Sequence, residues 1–468
     1  MHQKKPQDLN EIAVRISKNA ALLTEYLDAQ GLPQPSFAAD AASELFPNPN
    51  NESQVVHAAR ESILEDSKTL SDLVLGPVER LKWTIWPMID ISVLQVIYRF
   101  RLAQAVPLDG GATYTEIAKD TGLSQHRVAS VIRQAMTNKI FHEDKRNHVV
   151  HTAMSAILVK DPVMWDWVGH FVEEAYPTSA KWTEAMVRYP NSQEPSESPF
   201  AVAFRNSAPE GFFKYLADNN VPQARFFGAM KGVGTAPGLQ HHHIANGYAW
   251  DKLGNATVVD VSLFPQSTCC NVLLFLAGVL RNCSSNMRPC VTDQEQSQVG
   301  GSAGHVSIEI AKKFPNLSFV VQDFPHTVHQ AEKTLPTELK GRVSYMPHDF
   351  FEPQPVHGRA FLMRHICHDW SDKYSIKILQ RIVPAMGADS KIIIVENVVL
   401  PPGQYSFLEE KWTRNMDLHM FSMLNSQERS EDEWTQLVAA ADPRLRIASI
   451  EKPPGSDDSI IEIVLSQS

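Results

Sequence analysis

The stretches "NATVVDV" (Asn255–Val261) and "VGGSAGH" (Val299–His305) have the pattern of two halves of one motif. The first is a short run rich in β-branched residues, which is typical of a buried strand. The second is a glycine loop that opens a helix, where backbone N–H groups can approach a ligand closely. Strand, glycine loop and helix in this order build the ligand pocket of a doubly wound α/β sheet. Here 37 residues separate the two halves.

The separating segment differs in composition from the rest of the chain. Four of the five cysteines lie in it: Cys269, Cys270, Cys283 and Cys290. A disulfide framework spreads its cysteines across a fold, and an adjacent pair does not match the C-x₂₋₄-C spacing of zinc sites. The triple histidine 241–243 is expected in a solvated loop rather than around a metal, because consecutive side chains point in different directions. We therefore predict that the protein holds no metal ion.

The same segment can be removed without damage to the motif. Removal of Val261–Gln298, 38 residues, joins the two halves into "ATVVDVGGSAGH". Valine codons begin with GT and a glutamine codon can be CAG, so the segment can carry both boundaries of an intron. We interpret this atypical insertion, residues 261–298, as a retained intron or an error in the gene model. A genuine lineage-specific loop is the alternative.

The overall composition is that of a globular protein. The chain has 468 residues, of which 43% are hydrophobic and 21% charged, with a net charge of −10. That charge argues against general binding to nucleic acids or to anionic membranes. No stretch approaches the ~20 apolar residues that a membrane span needs, and the N-terminus lacks the apolar core of a secretory signal. We therefore expect a cytoplasmic protein with neither nucleic acid nor membrane as a partner.

The N-terminal part, residues 1–180, has mainly helical periodicity, and a helical connector, which we expect to contribute to the substrate pocket, follows at 181–245. Candidate helices lie at 8–30, 55–82 and 84–105. Farther along, Gly122 suits the turn between two short helices, and Ser124 suits the N-cap of the second one. The next stretch, "KIFHEDKRNHVVHT" (139–152), has the pattern of a two-stranded wing. The sequence thus predicts a winged helix.

A winged helix can read DNA by placing its second helix in the major groove. That helix offers only Arg127 and Arg133 as full positive charges, in a chain that is acidic overall. We therefore favour a structural or dimerising role for this part of the chain.

From residue 246 to residue 468, strands alternate with helices. The strand candidates are Thr257–Val261, Leu317–Val321, Val343–Met346, Ala360–Arg364, Lys391–Val395 and Ile460–Leu465. This alternation predicts an α/β fold with a Rossmann-like doubly wound, mostly parallel sheet. Ligands of such sheets bind at the carboxyl ends of the strands.

Two acidic residues follow strands of this sheet. Asp323 ends "LSFVVQD" and lies 23 positions after Gly300, so it can accept hydrogen bonds from both hydroxyls of a cofactor ribose. The loop lacks the full G-x-G-x-x-G, which disfavours a dinucleotide. Asp349, in "PHDFF", can accept from an adenine amino group; a turn or N-cap aspartate is the alternative.

A histidine and two glutamates form the candidate catalytic group. His368 lies in "RHICHDWSD", just past the carboxyl end of a strand; Glu396 ends "KIIIVE", and Glu428 lies in "SQERSEDEW". An imidazole held by carboxylates can act as a general base, since the acids orient the ring and stabilise its charged form. His365 is the competing histidine, at a place where packing is the expected role.

Together these motifs resemble a known family. "VVD…VGGSAGH", "FVVQDFP", "HDFF", "RHICHDWSD", "IIIVENVVLPPG" and "SQERSEDEW" are similar to the caffeate-type, class II-like O-methyltransferases, especially the fungal secondary-metabolite branch. The resemblance covers roughly residues 60–468. It implies S-adenosylmethionine as methyl donor, an antiparallel last strand, and a homodimer formed through the winged-helix domain.

The resemblance also assigns roles to residues of this chain. It places Gly300 and Asp323 at the amino-acid and ribose parts of the cofactor, and Asp349 with Phe350 at the adenine. Arg364 occupies a position that is often lysine in plant relatives.

By the same matching, His368 takes the proton from the hydroxyl of a small phenolic, polyketide-like metabolite, and Glu396 and Glu428 flank it. Two alternatives remain open at this point. One is a winged-helix transcriptional regulator that senses a ligand, and the other is a paralogue impaired by the insertion.

Overall fold

The computed structural model describes residues 8–42, 45–46, 54–261 and 304–466. Gly300 and all of the predicted insertion except Val261 lie outside the described residues. The chain forms two compact units, each taken by itself below. The first comprises the residues up to Pro177 together with Leu400–Asn415, and the second comprises Thr178–Val399 and the residues from Met416 onward.

The N-terminal unit is mainly helical within the described residues. A first group of long helices is followed by a helix–turn–helix and then by short helices. The helices are α1 Leu9–Gln30, α2 Gln54–Ile85, α3 Pro87–Arg99, α4 Tyr114–Thr121, α5 Gln125–Thr137, α6 Ala153–Lys160, α7 Pro162–His170 and a π-helix at Phe171–Ala175. Helix α2 is kinked at Gly76, whose φ of 68° is not helical and which precedes Pro77.

The two helices and the wing predicted from the sequence are present as α4, α5 and two strands. Ser124 caps α5 by accepting from the N–H of Arg127, and Gly122 closes α4 in the left-handed conformation. The strands β1 Ala112–Thr113, β2 His142–Lys145 and β3 His148–Val150 form an antiparallel sheet in the order β1-β3-β2.

The second unit combines helices with a large sheet. Its helices are α8 Tyr176–Ser179, α9 Trp182–Arg188, α10 Pro199–Phe204, α11 Phe212–Asp218, α12 Asn220–Thr235, α13 His241–Gly247, α14 His305–Lys313, α15 Pro325–Thr334, α16 Asp372–Ile382, α17 Phe407–Leu424 and α18 Glu431–Ala441. Helices α8 and α17 each cross a boundary between the units.

The large sheet confirms the predicted doubly wound architecture. Its strands are β4 Ala256–Val261, β5 Leu317–Asp323, β6 Val343–Pro347, β7 Gly358–Arg364, β8 Met386–Glu396, β11 Leu445–Glu451 and β12 Ser459–Leu465, in the order β11-β12-β8-β7-β4-β5-β6. Strand β12 runs antiparallel to β8, as expected for the last strand, while β8, β7, β4, β5 and β6 are parallel. Helices cover both faces, over two clusters of buried apolar side chains.

The described end of the glycine loop requires glycine. Gly304 has a φ of 70° and is the N-cap of α14. A Cβ at this position would lie 2.8 Å from a methyl group of Val321 on β5. The helix can therefore pack this closely against the sheet only without a side chain here.

The expectation of a solvated loop at the triple histidine was wrong. His241–Gly247 is helix α13, and only His242 of the three histidines is exposed. The His241 ring stacks on that of His305 with a centroid distance of 5.9 Å, a contact within the second unit between α13 and α14. Among the described residues, no group of three or more histidine, cysteine, aspartate or glutamate side chains is arranged to hold a metal ion.

Among the helices of the described residues, none is both long and apolar enough to cross a bilayer.

Candidate active site

His368 lies at the carboxyl end of the central strand β7. The strand ends at Arg364, and a 3₁₀ helix at Cys367–Asp369 follows, so the histidine stands at the edge where ligands of such a sheet bind. Its ring is half-buried.

Glu428 holds the imidazole directly. Its Oε1 lies 3.0 Å from His368 Nδ1, and its side chain is buried. A short parallel pairing of two strands, β9 Val398–Val399 and β10 Arg429–Ser430, places this glutamate beside the end of β8. The contact fixes the ring orientation and leaves Nε2 as the nitrogen that can exchange a proton with another molecule.

Glu396 reaches the histidine through the backbone. Its Oε1 accepts from the N–H groups of Ile366, Cys367 and His368, at 3.0, 2.6 and 3.3 Å. Burial raises the pKa of Glu396 to about 7. This carboxyl group thus fixes the turn that carries the histidine, whereas the sequence had suggested that it lies alongside the ring.

Acidic neighbours dominate the titration of His368. Burial by itself lowers the pKa of the imidazole, but the carboxylates of Asp369 and Glu428 outweigh burial and raise it to about 10. Asp369 Oδ1 lies 3.5 Å from His368 Nε2, and burial raises the pKa of Asp369 to about 6. The imidazole is therefore strongly basic.

Arg429 is a structural contributor that the sequence analysis did not select. Its fully buried guanidinium donates to the carbonyls of Cys367 and Trp370, at 2.7 and 2.8 Å, and to Asp372 Oδ1 at 2.9 Å. Arg429 thus binds backbone carbonyl groups of the turn that carries His368, while Glu396 binds backbone N–H groups of the same turn. Its position next to Glu428 in "SQERSEDEW" was the available signal.

Asp323 ends β5 in a buried position with unused acceptor capacity. Its Oδ1 accepts from the N–H of Phe324 at 2.7 Å, but its Oδ2 is buried and has no hydrogen-bond partner among the described residues. Burial raises the pKa of Asp323 well above its ordinary value. A buried, unpartnered carboxylate oxygen fits a ligand that brings hydroxyl donors, such as a ribose.

The remaining predicted cofactor residues lie in different surroundings. Asp349 is exposed, and its Oδ1 accepts from the N–H of Phe351 at 2.9 Å. This contact is the one expected of a turn aspartate, the alternative that the sequence left open. Phe350 is buried, with its ring 6.0 Å from that of Trp370. Arg364 donates to the carbonyl of Leu239, and burial lowers the pKa of its guanidinium.

A cavity of about 240 Å³ lies beside this turn, within the second unit. Its lining includes Tyr189, Gln193, Phe421, Asn425 and Ser426. Ser426 Oγ donates to the carbonyl of His368 at 2.6 Å, but the histidine itself does not line the cavity. Residues of the predicted connector 181–245 therefore line part of a cavity next to the turn that carries His368.

Comparison with known proteins identifies the family. A profile of the O-methyltransferase domain matches residues 293–442. "O-methyltransferase VdtC" of Byssochlamys spectabilis is 33% identical, over 97% of this chain and 98% of that protein. "Chlorophenol O-methyltransferase" of Trichoderma longibrachiatum is 30% identical, over 97% of this chain and 89% of that protein. The chain belongs to the S-adenosylmethionine-dependent O-methyltransferases.

Solved structures agree with this O-methyltransferase fold. The crystal structure of OxaC is similar with a TM-score of 0.69 at 19% identity, over 98% of this chain and 99% of that one. The mitomycin 7-O-methyltransferase MmcR gives a TM-score of 0.59 at 22% identity, over 88% of this chain and all of that one. The enzyme is a member of the fungal secondary-metabolite branch and uses S-adenosylmethionine.

Proposed function

We propose that this O-methyltransferase methylates a hydroxyl group of a small phenolic, polyketide-like metabolite, with His368 as the general base. The observation that carries the proposal is the 3.0 Å contact between His368 Nδ1 and the buried Glu428. A relative that bears the name chlorophenol O-methyltransferase supports the phenolic class of substrate.

Bound S-adenosylmethionine supplies a methyl group on a positively charged sulfur, open to attack by an oxygen. The protein's own part is to bring the hydroxyl next to His368 and to take its proton. A phenol has a pKa of ~10, so most of it is protonated at neutral pH and benefits from a base. Burial lowers the pKa of His368, but the carboxylates of Asp369 and Glu428 outweigh burial and raise it to about 10. The neutral imidazole therefore matches a phenol in basicity, and the neutral fraction grows as the pH rises.

We propose that Asp323 accepts from the ribose hydroxyls of the cofactor, because its Oδ2 is a buried acceptor without a partner among the described residues. By the family resemblance we also assign Gly300 to the amino-acid part of the cofactor and Asp349 and Phe350 to its adenine. Arg364 is assigned to the cofactor pocket without a specified contact. The exposed carboxylate of Asp349 can still accept from an adenine amino group while one of its oxygens holds the turn.

We also propose that the enzyme is a homodimer through its N-terminal domain, residues 1–180. Three apolar side chains in the part of α2 after the kink at Gly76 have the spacing of one helical stripe and are more than 60% exposed: Val78, Leu81 and Ile85. Such a stripe on an isolated helix face indicates a protein partner. Arg133, one of two arginines on α5, is paired with Glu143 at 3.1 Å, which disfavours DNA as that partner.

Transfer of an isotope-labelled methyl group tests the proposal. Phenolic polyketides and flavonoids, with their O-methylated counterparts as controls, are incubated with the enzyme and labelled cofactor. We expect label on free phenols only. The variant His368→Ala is expected to lower turnover by ~10²–10⁴, the usual contribution of a general base, with cofactor affinity unchanged. Near-normal turnover of the variant, or no phenolic product at all, would contradict the proposal.

A further inference from the structure

His365 adopts a conformation that needs an explanation. Its φ is 51°, in the left-handed region that a bulky residue rarely occupies, and its N–H donates to the carbonyl of Val395 at 3.1 Å. This conformation turns the chain at the end of β7 three residues before His368.

The side chain of His365 is held by a buried carboxylate. Both oxygens of Asp458 lie 2.9 Å from His365 Nε2, and Asp458 is only 3% exposed. The sheet register brings the pair together. Strand β8 pairs Val395 with Arg364 on one side and Glu396 with Ser459 on the other, so the residues next in line, His365 and Asp458, meet at the same edge.

The His365 ring in turn packs on the ring of the catalytic candidate. The centroids of His365 and His368 are 5.1 Å apart, with planes inclined by 28°. His368 therefore has three neighbours around its ring: Glu428 at Nδ1, Asp369 near Nε2, and the His365 ring.

We propose that Asp458 and His365 are positioning residues for His368: the buried carboxylate fixes the His365 ring, and that ring fixes the plane of the His368 imidazole. The proposal rests on the role of His368 as the base. Among the described residues Asp458 bonds to His365 and lies 3.7 Å from Arg364, and it makes no hydrogen bond to His368, so its effect on the imidazole passes through His365.

Energetic cost supports a role beyond packing. Burial by itself raises the pKa of Asp458, but His365 and Arg364, whose guanidinium lies 3.7 Å from Oδ2, outweigh burial and lower it, so the carboxylate is held in its ionised form. The left-handed backbone of His365 is unfavourable, and packing alone does not require it. Burial lowers the pKa of His365 in spite of Asp458, so the ring is neutral and its Nε2–H donates to the carboxylate. One tautomer of His365 is thereby selected, and the neutral His365 ring adds no positive charge next to His368.

The first test needs no cofactor. The full-length chain is labelled on histidine, and the signals of His365 and His368 are followed by NMR in wild type, Asp458→Asn and Asp458→Ala, with single histidine variants for assignment. We expect wild type to show His365 as the Nε2–H tautomer. Asparagine keeps an acceptor oxygen and should preserve both signals, whereas alanine should move both. A His368 signal that stays in place in Asp458→Ala would overturn the proposal.

The second test separates positioning from folding and from cofactor binding. Asp458→Ala is expected to lower kcat about tenfold, within the ~10² that a misplacement of about 1 Å can cost. Because Asp458 also lies 3.7 Å from Arg364, cofactor affinity is measured for the same variant, and the loss of kcat at saturating cofactor should exceed any loss of affinity. Asp458→Asn should restore most of kcat. Asp144→Ala is the matched control. It removes another histidine–aspartate contact, in the wing, where Asp144 Oδ1 lies 2.6 Å from His148 Nδ1, and it should behave as wild type.

Three outcomes are decisive. A kcat loss in Asp458→Ala that asparagine does not rescue, or that tracks cofactor affinity, would show a structural role and overturn the inference. If Asp458→Ala does not fold, His365→Asn replaces it, because asparagine tolerates left-handed backbone; unchanged kcat in that variant also overturns the inference. Full activity of His368→Ala would instead overturn the proposed function itself.

Discussion

At the scale of single residues, Asp323 carries the clearest expectation for the cofactor pocket. Asp323→Ala removes a buried acceptor that no described group satisfies, so we expect cofactor binding to weaken by a few kcal/mol, since hydrogen bonds to charged groups contribute about 1.5–3 kcal/mol each. Titration calorimetry measures this loss. Asp389→Ala is the control, since Asp389 is an exposed aspartate paired with Arg359 at 2.9 Å. Unaltered affinity of Asp323→Ala would mean that the ribose is held elsewhere.

The sequence predicted which residues meet at the site better than it predicted how they meet. Motif order and strand ends were enough to bring His368 and Glu396 to one edge, because the carboxyl ends of parallel strands share it, and the family resemblance added Glu428. They could not show that Glu396 holds three backbone N–H groups, since that depends on the path of the turn after β7. Arg429 was missed for a similar reason: besides Asp372, its acceptors are the backbone carbonyl groups of Cys367 and Trp370, which leave no sequence pattern.

At the scale of elements, the exposed stripe on α2 is the testable feature. Leu81→Glu combined with Val78→Glu places two charges on this stripe, where both side chains are nearly 70% exposed and so make few contacts within the unit. We expect the double variant to fold and to sediment as a monomer where wild type sediments as a dimer, because charge disfavours burial in an apolar interface. The double variant Lys119→Glu, Arg127→Glu on the helix–turn–helix is the control. A wild-type monomer, or a dimer that survives both charges on α2, would contradict the proposed interface.

Elements with regular periodicity were predictable, and elements with broken periodicity were not. Strand β12 was expected almost to the residue, because its apolar side chains are buried on both faces. Its neighbour β11 was not predicted. A register shift between Ile447 and Ser449 interrupts the alternation of its side chains, and its edge position leaves several of them exposed. The π-helix Phe171–Ala175 has no sequence pattern of its own.

At the scale of the whole molecule, the segment 261–298 decides whether this chain works as written. Strand β4 ends at Val261 and the helix after the glycine loop begins at His305, so the segment interrupts the part of the motif that must approach the cofactor. Closing a loop of 38 residues costs ~3 kcal/mol, and misplacing backbone donors by about 1 Å can cost ~10² in rate. We therefore expect the chain without Val261–Gln298 to bind cofactor more tightly and to unfold at a higher temperature than the full chain.

Two measurements check this expectation: sequencing of the mature transcript across the segment, and calorimetric comparison of the two proteins. A transcript that keeps the segment, with equal cofactor affinity of the two proteins, would show a genuine and tolerated loop.

The pH dependence of kcat/KM in wild type and His368→Gln tests the general base most directly. A base must be neutral to accept a proton, and Asp369 and Glu428 raise the pKa of His368 to about 10 against burial. Activity of wild type with a phenolic substrate should therefore rise with pH, along a limb above the ordinary histidine pKa of ~6.5. In His368→Gln only the ionisation of the phenol should remain, so the limb should move with the pKa of the phenol when substituted phenols are compared, whereas in wild type a limb fixed by His368 should stay in place. A limb that follows the pKa of the phenol in wild type as well would show that His368 is not the base.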